Sequence, residues 1–152
     1  MNILILGGHG FIGSHTCAVL KAQGHNVAVV DCYHQYYTFP DIEYFSVLSQ
    51  RKQLANNDKT YVGKIEDAFF MNSVFEDFKP DKVVHLATYP NAKMVARNVG
   101  DATNNMITAT AIVLDLCVKY KVERFVFSSS SMAYGEFNGQ TPDETIMCMP
   151  NT

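Results

Sequence analysis

The sequence predicts an α/β protein built on a doubly wound parallel sheet, and three observations carry that expectation. Short apolar runs alternate with longer segments of helical period along the chain. The clearest of these runs are apolar at consecutive positions, which suits strands covered on both faces rather than half-exposed ones. The first run leads straight into a glycine-rich turn and then a helix-period segment, as a βα unit does.

Strands are expected at 2–6 (Asn-Ile-Leu-Ile-Leu), 26–30, 60–62, 82–86 and 124–128. A helix over 11–23 is closed by Gly24, a residue suited to the position just past a helix end. Residues 32–58 open as a polar, tyrosine-rich loop and continue as a helix around 41–55. Phe70, Val74 and Phe78 recur at four-residue spacing in a helix over 66–78, stopped by Pro80. The longest helix is expected over 102–120. There Ala102, Met106, Ala109, Val113, Leu116 and Tyr120 recur at steps of four and three, the stripe of a core-facing side.

Composition narrows the function classes. At 152 residues the chain is about one domain long, and 47% hydrophobic content is that of an ordinary globular protein. A formal charge of −3 with no basic run gives no reason to expect nucleic acid or an acidic membrane as partner. No stretch approaches the ~18 apolar residues that span a bilayer. The four cysteines (Cys17, Cys32, Cys117 and Cys148) lack disulfide or zinc spacing, so reduced thiols in the cytoplasm are expected. The histidines form no cluster with cysteines or acids, and no metal is expected.

The chemistry is concentrated after the first strand. Gly7, Gly10 and Gly13 follow a G-x-x-G-x-x-G pattern. A tight strand-to-helix turn, a close backbone approach to phosphate and close helix–sheet packing each call for a residue without a side chain. The helix N-terminus adds free N–H groups and a positive dipole end for the anion. Asp31 closes the second strand eighteen positions after Gly13, where its carboxylate accepts a hydrogen bond from an adenosine ribose hydroxyl and repels a 2′-phosphate. The competing reading is a plain tight turn with a capping aspartate. The whole constellation favours a Rossmann-type doubly wound parallel sheet flanked by helices, with NAD rather than NADP as its cofactor.

The glycine spacing, His-Leu-Ala at 85–87 and Phe-Ser-Ser-Ser-Ser-Met-Ala-Tyr-Gly at 127–135 together resemble the extended short-chain dehydrogenase/reductases. The likeness is to their NAD-dependent nucleotide-sugar epimerases and dehydratases, and Asp31–Tyr37 is similar to the UDP-sugar 4-epimerase branch. The resemblance covers essentially the whole chain. It implies cofactor contacts from Gly7, Gly10, Phe11, Ile12, Gly13, Asp31, Ile65, Leu86, Ala87, Asn105 and Ser128. It implies a catalytic role for Ser130, hydrogen-bonded to the reacting sugar hydroxyl, and a scaffold role for Tyr134. Capping is the competing reading for both Asn105 and Ser130. Lys64 stands where the family carries an aspartate that meets the adenine amine, and an ammonium cannot accept that bond.

The resemblance also implies a catalytic Tyr-x-x-x-Lys pair and a C-terminal substrate domain beyond residues 141–152. The chain is therefore expected to be the cofactor half of a longer enzyme, truncated before that domain. It would bind NAD without turning over a UDP-sugar, and a homodimer through the helix over 102–120 is implied. The string Tyr89-Pro-Asn-Ala-Lys93 has the right form in the wrong place; with eight tyrosines and nine lysines in 152 residues, about half a match is expected by chance. The alternatives are a non-catalytic NAD(H)-binding or sensing module, and an atypical reductase using Tyr89 and Lys93.

Overall fold

The computed structural model describes residues 1–36, 38, 40–136, 141 and 143–150. Of the stretches singled out above, Tyr37, Phe39, Pro142, Asn151 and Thr152 lie outside the described residues. Five strands, β1 (Asn2–Leu6), β2 (Asn26–Asp31), β3 (Lys59–Val62), β4 (Lys82–His85) and β5 (Arg124–Phe127), pair in parallel in the order β3-β2-β1-β4-β5. Each matches an expected strand to within one residue at either end.

Helices fill both faces of the sheet because the strand side chains point alternately to each. Leu4, Leu6, Ala28, Val30 and Val83 form one core with Met71, Val74, Phe75 and Phe78 of α3 (Ala68–Phe78) and Ala109, Val113 and Leu116 of α6 (Ala109–Lys119). Ile3, Ile5, Val27 and Val29 face the other way, onto Cys17 of α1 (Phe11–Ala22) and Ala55 of α2 (Asp41–Ala55). α1 ends as expected, with Gly24 at φ +79 just beyond it. α3 starts at Asp67, whose carboxylate accepts the Phe70 N–H at 3.0 Å, and ends where Lys79 turns left-handed ahead of buried Pro80.

The long helix is present with one difference and one correction. It runs from α5 (Val99–Thr103) to α6 with a π-helical turn, Asn104–Thr108, inserted in it, and the short α4 (Ala92–Arg97) precedes it. Within that wide turn Asn105 takes the inward place, and Met106, expected on the core stripe, is 39% exposed. A four-residue 3₁₀ helix, Ser131–Tyr134, follows β5, as the capping reading of the serine run expects.

Candidate cofactor site

The strand order reverses between β1 and β4, since β2 and β3 build outward on one side and β5 on the other. A crevice opens at the carboxyl ends of strands that diverge in this way. The glycine turn leaves β1 at that point, and Leu86–Ala87 leaves β4 beside it, with the Leu86 N–H donating to the Leu6 carbonyl at 2.9 Å.

The turn is drawn tight. Gly7 sits at φ +77 and donates its N–H to the Val30 carbonyl at 2.8 Å, and Gly10 donates back to the Gly7 carbonyl at 3.1 Å. A Cβ on Gly13 would lie 2.3 Å from the Gly7 oxygen, so the helix can approach the turn only as glycine. A Cβ on Gly7 would meet the Ala87 backbone at 2.9 Å, which closes the crevice floor. On Gly10 it would meet only the Gly7 oxygen, at 3.2 Å, leaving the other side open.

The helical ladder of α1 begins with the Ser14 N–H on the Gly10 carbonyl. The N–H groups of Phe11, Ile12 and Gly13 lie ahead of it, and no acidic side chain stands in the first turn to compete for them. Three donors at a positive helix end fit the diphosphate of a dinucleotide.

Asp31 stands next to this turn. One carboxylate oxygen accepts the His9 N–H at 3.0 Å and the other the Tyr33 N–H at 2.9 Å, which fixes the group without using all its lone pairs. The Gly63 N–H donates to the Asp31 carbonyl at 3.2 Å, bringing the segment after β3 alongside. In that segment Ile65 is buried, while Lys64 is exposed and pairs with Glu66 at 3.5 Å. Residue 64 thus presents an ammonium already paired within its own loop.

Asn105 is buried, and its Oδ1 is the only fully buried side-chain N or O atom among the described residues without a hydrogen-bond partner. Leaving such an acceptor unpaired costs about 1–3 kcal/mol, and π turns recur at functional sites. The capping alternative for Asn105 is overturned: Asn98 caps α5, its side chain accepting the Asp101 N–H at 3.3 Å. For Ser130 capping is what the structure shows. Its Oγ accepts the Met132 N–H at 3.2 Å on an exposed loop, leaving its own O–H available to donate. Ser128 is anchored through its N–H on the His85 carbonyl, at 3.2 Å.

The Tyr89 hydroxyl is hydrogen-bonded to the Asp101 carboxylate, which pushes the phenol up to about 12. A tyrosine base needs the opposite shift, so this hydrogen bond does not favour Tyr89 as a proton acceptor. His85 is buried and held neutral by desolvation, its imidazole brought down to about 4. Among the described residues no group of His, Cys, Asp or Glu could hold a metal ion, and all four cysteines are free. No helix of these residues is long and apolar enough to cross a membrane.

Sequence reasoning missed the side chains that brace the turn. His9 is 4% exposed, with Nδ1 3.1 Å from the Tyr33 hydroxyl and Nε2 3.0 Å from Asn57 Oδ1. Tyr33 itself stands at φ +53. Nothing in the spacing of these three residues announces that they meet.

The family model for the NAD dependent epimerase/dehydratase family matches residues 3–152. The chain belongs to that family. It is 33% identical over 139 residues to a UDP-glucose 4-epimerase of Caenorhabditis elegans, covering 89% of this chain and 39% of the relative. It is 32% identical over 138 residues to a dTDP-D-glucose 4,6-dehydratase of Dictyostelium discoideum, covering 88% of this chain and 30% of that one. Among solved structures, the UDP-glucose 4-epimerase of Stenotrophomonas maltophila, with bound NAD and formylated UDP-arabinopyranose, superposes with a TM-score of 0.83 at 26% identity. It covers 100% of this chain and 44% of that one. The Thermotoga maritima UDP-glucose 4-epimerase with UDP-glucose gives 0.78 at 33% identity, over 99% and 45%. The chain thus spans about two fifths of the length of these epimerases. The fold, the NAD-dependent family and the likeness to nucleotide-sugar enzymes agree with the reading of the sequence.

Proposed function

We propose that this chain is the NAD-holding part of a nucleotide-sugar epimerase or dehydratase, and that the reaction it serves is 4-epimerisation of a UDP-sugar. The observation that carries the reading is the glycine turn: three N–H groups ahead of the α1 ladder, next to a carboxylate fixed at the end of β2. The turn from Gly7 to Gly13, with Phe11 and Ile12, takes the diphosphate. Asp31 accepts from the ribose hydroxyls and excludes a 2′-phosphate. Ile65, Leu86, Ala87, Asn105 and Ser128 complete the wall, and Asn105 offers the cofactor its unpaired oxygen. When bound, NAD supplies the hydride acceptor. Ser130 presents its O–H to the sugar hydroxyl that reacts.

Residues 1–152 form one NAD-binding unit, and a further substrate domain completes the sugar site. By itself the unit binds NAD and leaves the sugar unchanged, because its one Tyr-x-x-x-Lys string, Tyr89 to Lys93, follows β4 rather than β5 and its phenol is bonded to Asp101. Ile107, Leu114 and Val118 are 67%, 43% and 80% exposed, and this apolar stripe is the surface through which two copies pair. The free thiols fit a cytoplasmic enzyme.

Calorimetric titration of the 152-residue chain with NAD tests the reading. Micromolar binding is expected, weakened about tenfold or more in Asp31→Ala as one charge-assisted hydrogen bond is lost. Absence of NAD binding would overturn the reading, and turnover of UDP-glucose by this chain would overturn its inactivity. Sedimentation of the same sample reads the dimer.

A further inference from the structure

We infer that His9 is a positioning residue that sets the cofactor's nucleotide specificity. It clamps the phosphate turn to the loop after β2, so that Asp31 is held in one orientation. The inference rests on the cofactor reading above.

The His9 ring spans two segments. Asn57 lies just ahead of β3, and its amide nitrogen donates to the Lys59 carbonyl at 2.7 Å and to Thr60 Oγ1 at 2.9 Å. Those bonds leave the Asn57 oxygen facing His9 Nε2, which therefore carries the ring proton. His9 Nδ1 is then the acceptor and takes the Tyr33 O–H. The two rings lie nearly parallel, 5.7 Å apart at 5°.

Tyr33 is secured from every side. Its carbonyl accepts the Tyr44 hydroxyl at 2.8 Å, and the Lys52 ammonium lies 4.1 Å from its ring centroid. Its N–H goes to Asp31. This residue occupies the left-handed region at φ +53, which a Cβ-bearing residue adopts only when its surroundings impose it. The same two residues, His9 and Tyr33, supply both N–H groups that grip the Asp31 carboxylate. The side-chain cage and the carboxylate clamp are therefore one mechanical unit. Its output is the direction in which the remaining lone pairs of Asp31 point.

A fixed carboxylate does two things: it accepts from the ribose diol, and it repels a 2′-phosphate. A loosened one loses the first interaction and can swing away from the second. Removal of the cage should therefore act on NAD and NADP unequally, which a general loss of stability would not do.

The test is titration of the chain and of His9→Ala and Tyr33→Phe with NAD and with NADP. Far-UV circular dichroism confirms folding of each variant. Wild type is expected to prefer NAD. In His9→Ala, NAD should weaken about tenfold, the worth of one charge-assisted hydrogen bond, while NADP changes by about twofold at most. Tyr33→Phe keeps the stacked ring and loses only the hydroxyl bond, so the NAD-to-NADP ratio should compress by about threefold. Equal weakening of both nucleotides, or an unchanged ratio in both variants, overturns the positioning role. If His9→Ala does not fold, the ratio in Tyr33→Phe decides. Wild type binding neither nucleotide defeats the cofactor reading itself and this inference with it.

Discussion

The two strands flanking β4 are built differently. In β1 the four residues Ile3–Leu6 are 3% exposed or less, with helices on both faces and paired strands on both sides. β5 is an edge strand on which Val126 and Phe127 are 48% and 50% exposed. The loop after β1 is braced by backbone hydrogen bonds, a buried histidine and a carboxylate clamp. After β5, Ser128 to Met132 are all exposed and Ser130 makes only a local cap. The side proposed to hold the oxidant is thus self-supporting, whereas the side proposed to meet the sugar is an exposed surface with few bonds of its own.

The strongest way to break this contrast is Gly13→Ala. The added methyl would stand 2.3 Å from the Gly7 oxygen and 2.7 Å from Gly8 Cα, both backbone atoms that cannot rotate away. Overpacking of this kind costs about 3 kcal/mol, and the shift it forces passes directly into the three N–H groups at the start of α1. A lower thermal midpoint together with loss of NAD binding in calorimetry is expected. A variant that keeps wild-type affinity would show that the turn is not preformed.

The same contrast explains what the sequence made legible. Buried parallel strands announce themselves as apolar runs, so β1, β2 and β4 are located by the order of residues alone. The glycine turn was readable because its chemistry tolerates few residue types at fixed spacing. The π turn was not, since the step from Ala102 to Ala109 fits an ordinary helix equally well and only packing places Asn105 inward. Nor was the brace of His9, Tyr33 and Asn57 legible, because its members are far apart in sequence and none is apolar or glycine. Tyr89-x-x-x-Lys93 is the reverse case, a string of the right form already legible as misplaced, whose phenol the fold commits to Asp101.

β4 lies between the two regions, and His85 at its end titrates the border. Its imidazole falls from the usual 6.5 to about 4 because burial disfavours the cation. The unfolded chain therefore binds the proton first as pH falls. Stability is unaffected above about 6.5 and declines from there toward about 4, by about 2 kcal/mol on reaching pH 5. Urea denaturation at pH 7 and pH 5 reads the difference. In His85→Leu this acid-dependent part should vanish. If the variant keeps the full decline, the titrating group lies elsewhere.

The smallest effect is expected at Ser130→Ala, on the open side. The substitution removes the hydrogen bond to the Met132 N–H and with it the cap of a four-residue helix. In a long buried helix such a loss costs about 1 kcal/mol. Here the helix is exposed and follows an edge strand, so it frays without unfolding the sheet, and the global change should stay below about 0.5 kcal/mol. NAD affinity should hold within about twofold, because the hydroxyl is assigned to the sugar rather than to the cofactor. A tenfold loss of NAD binding on this change would move Ser130 to the braced side of the molecule. The division between a self-supporting oxidant site and an open sugar site would then have to be drawn beyond β5 rather than through β4.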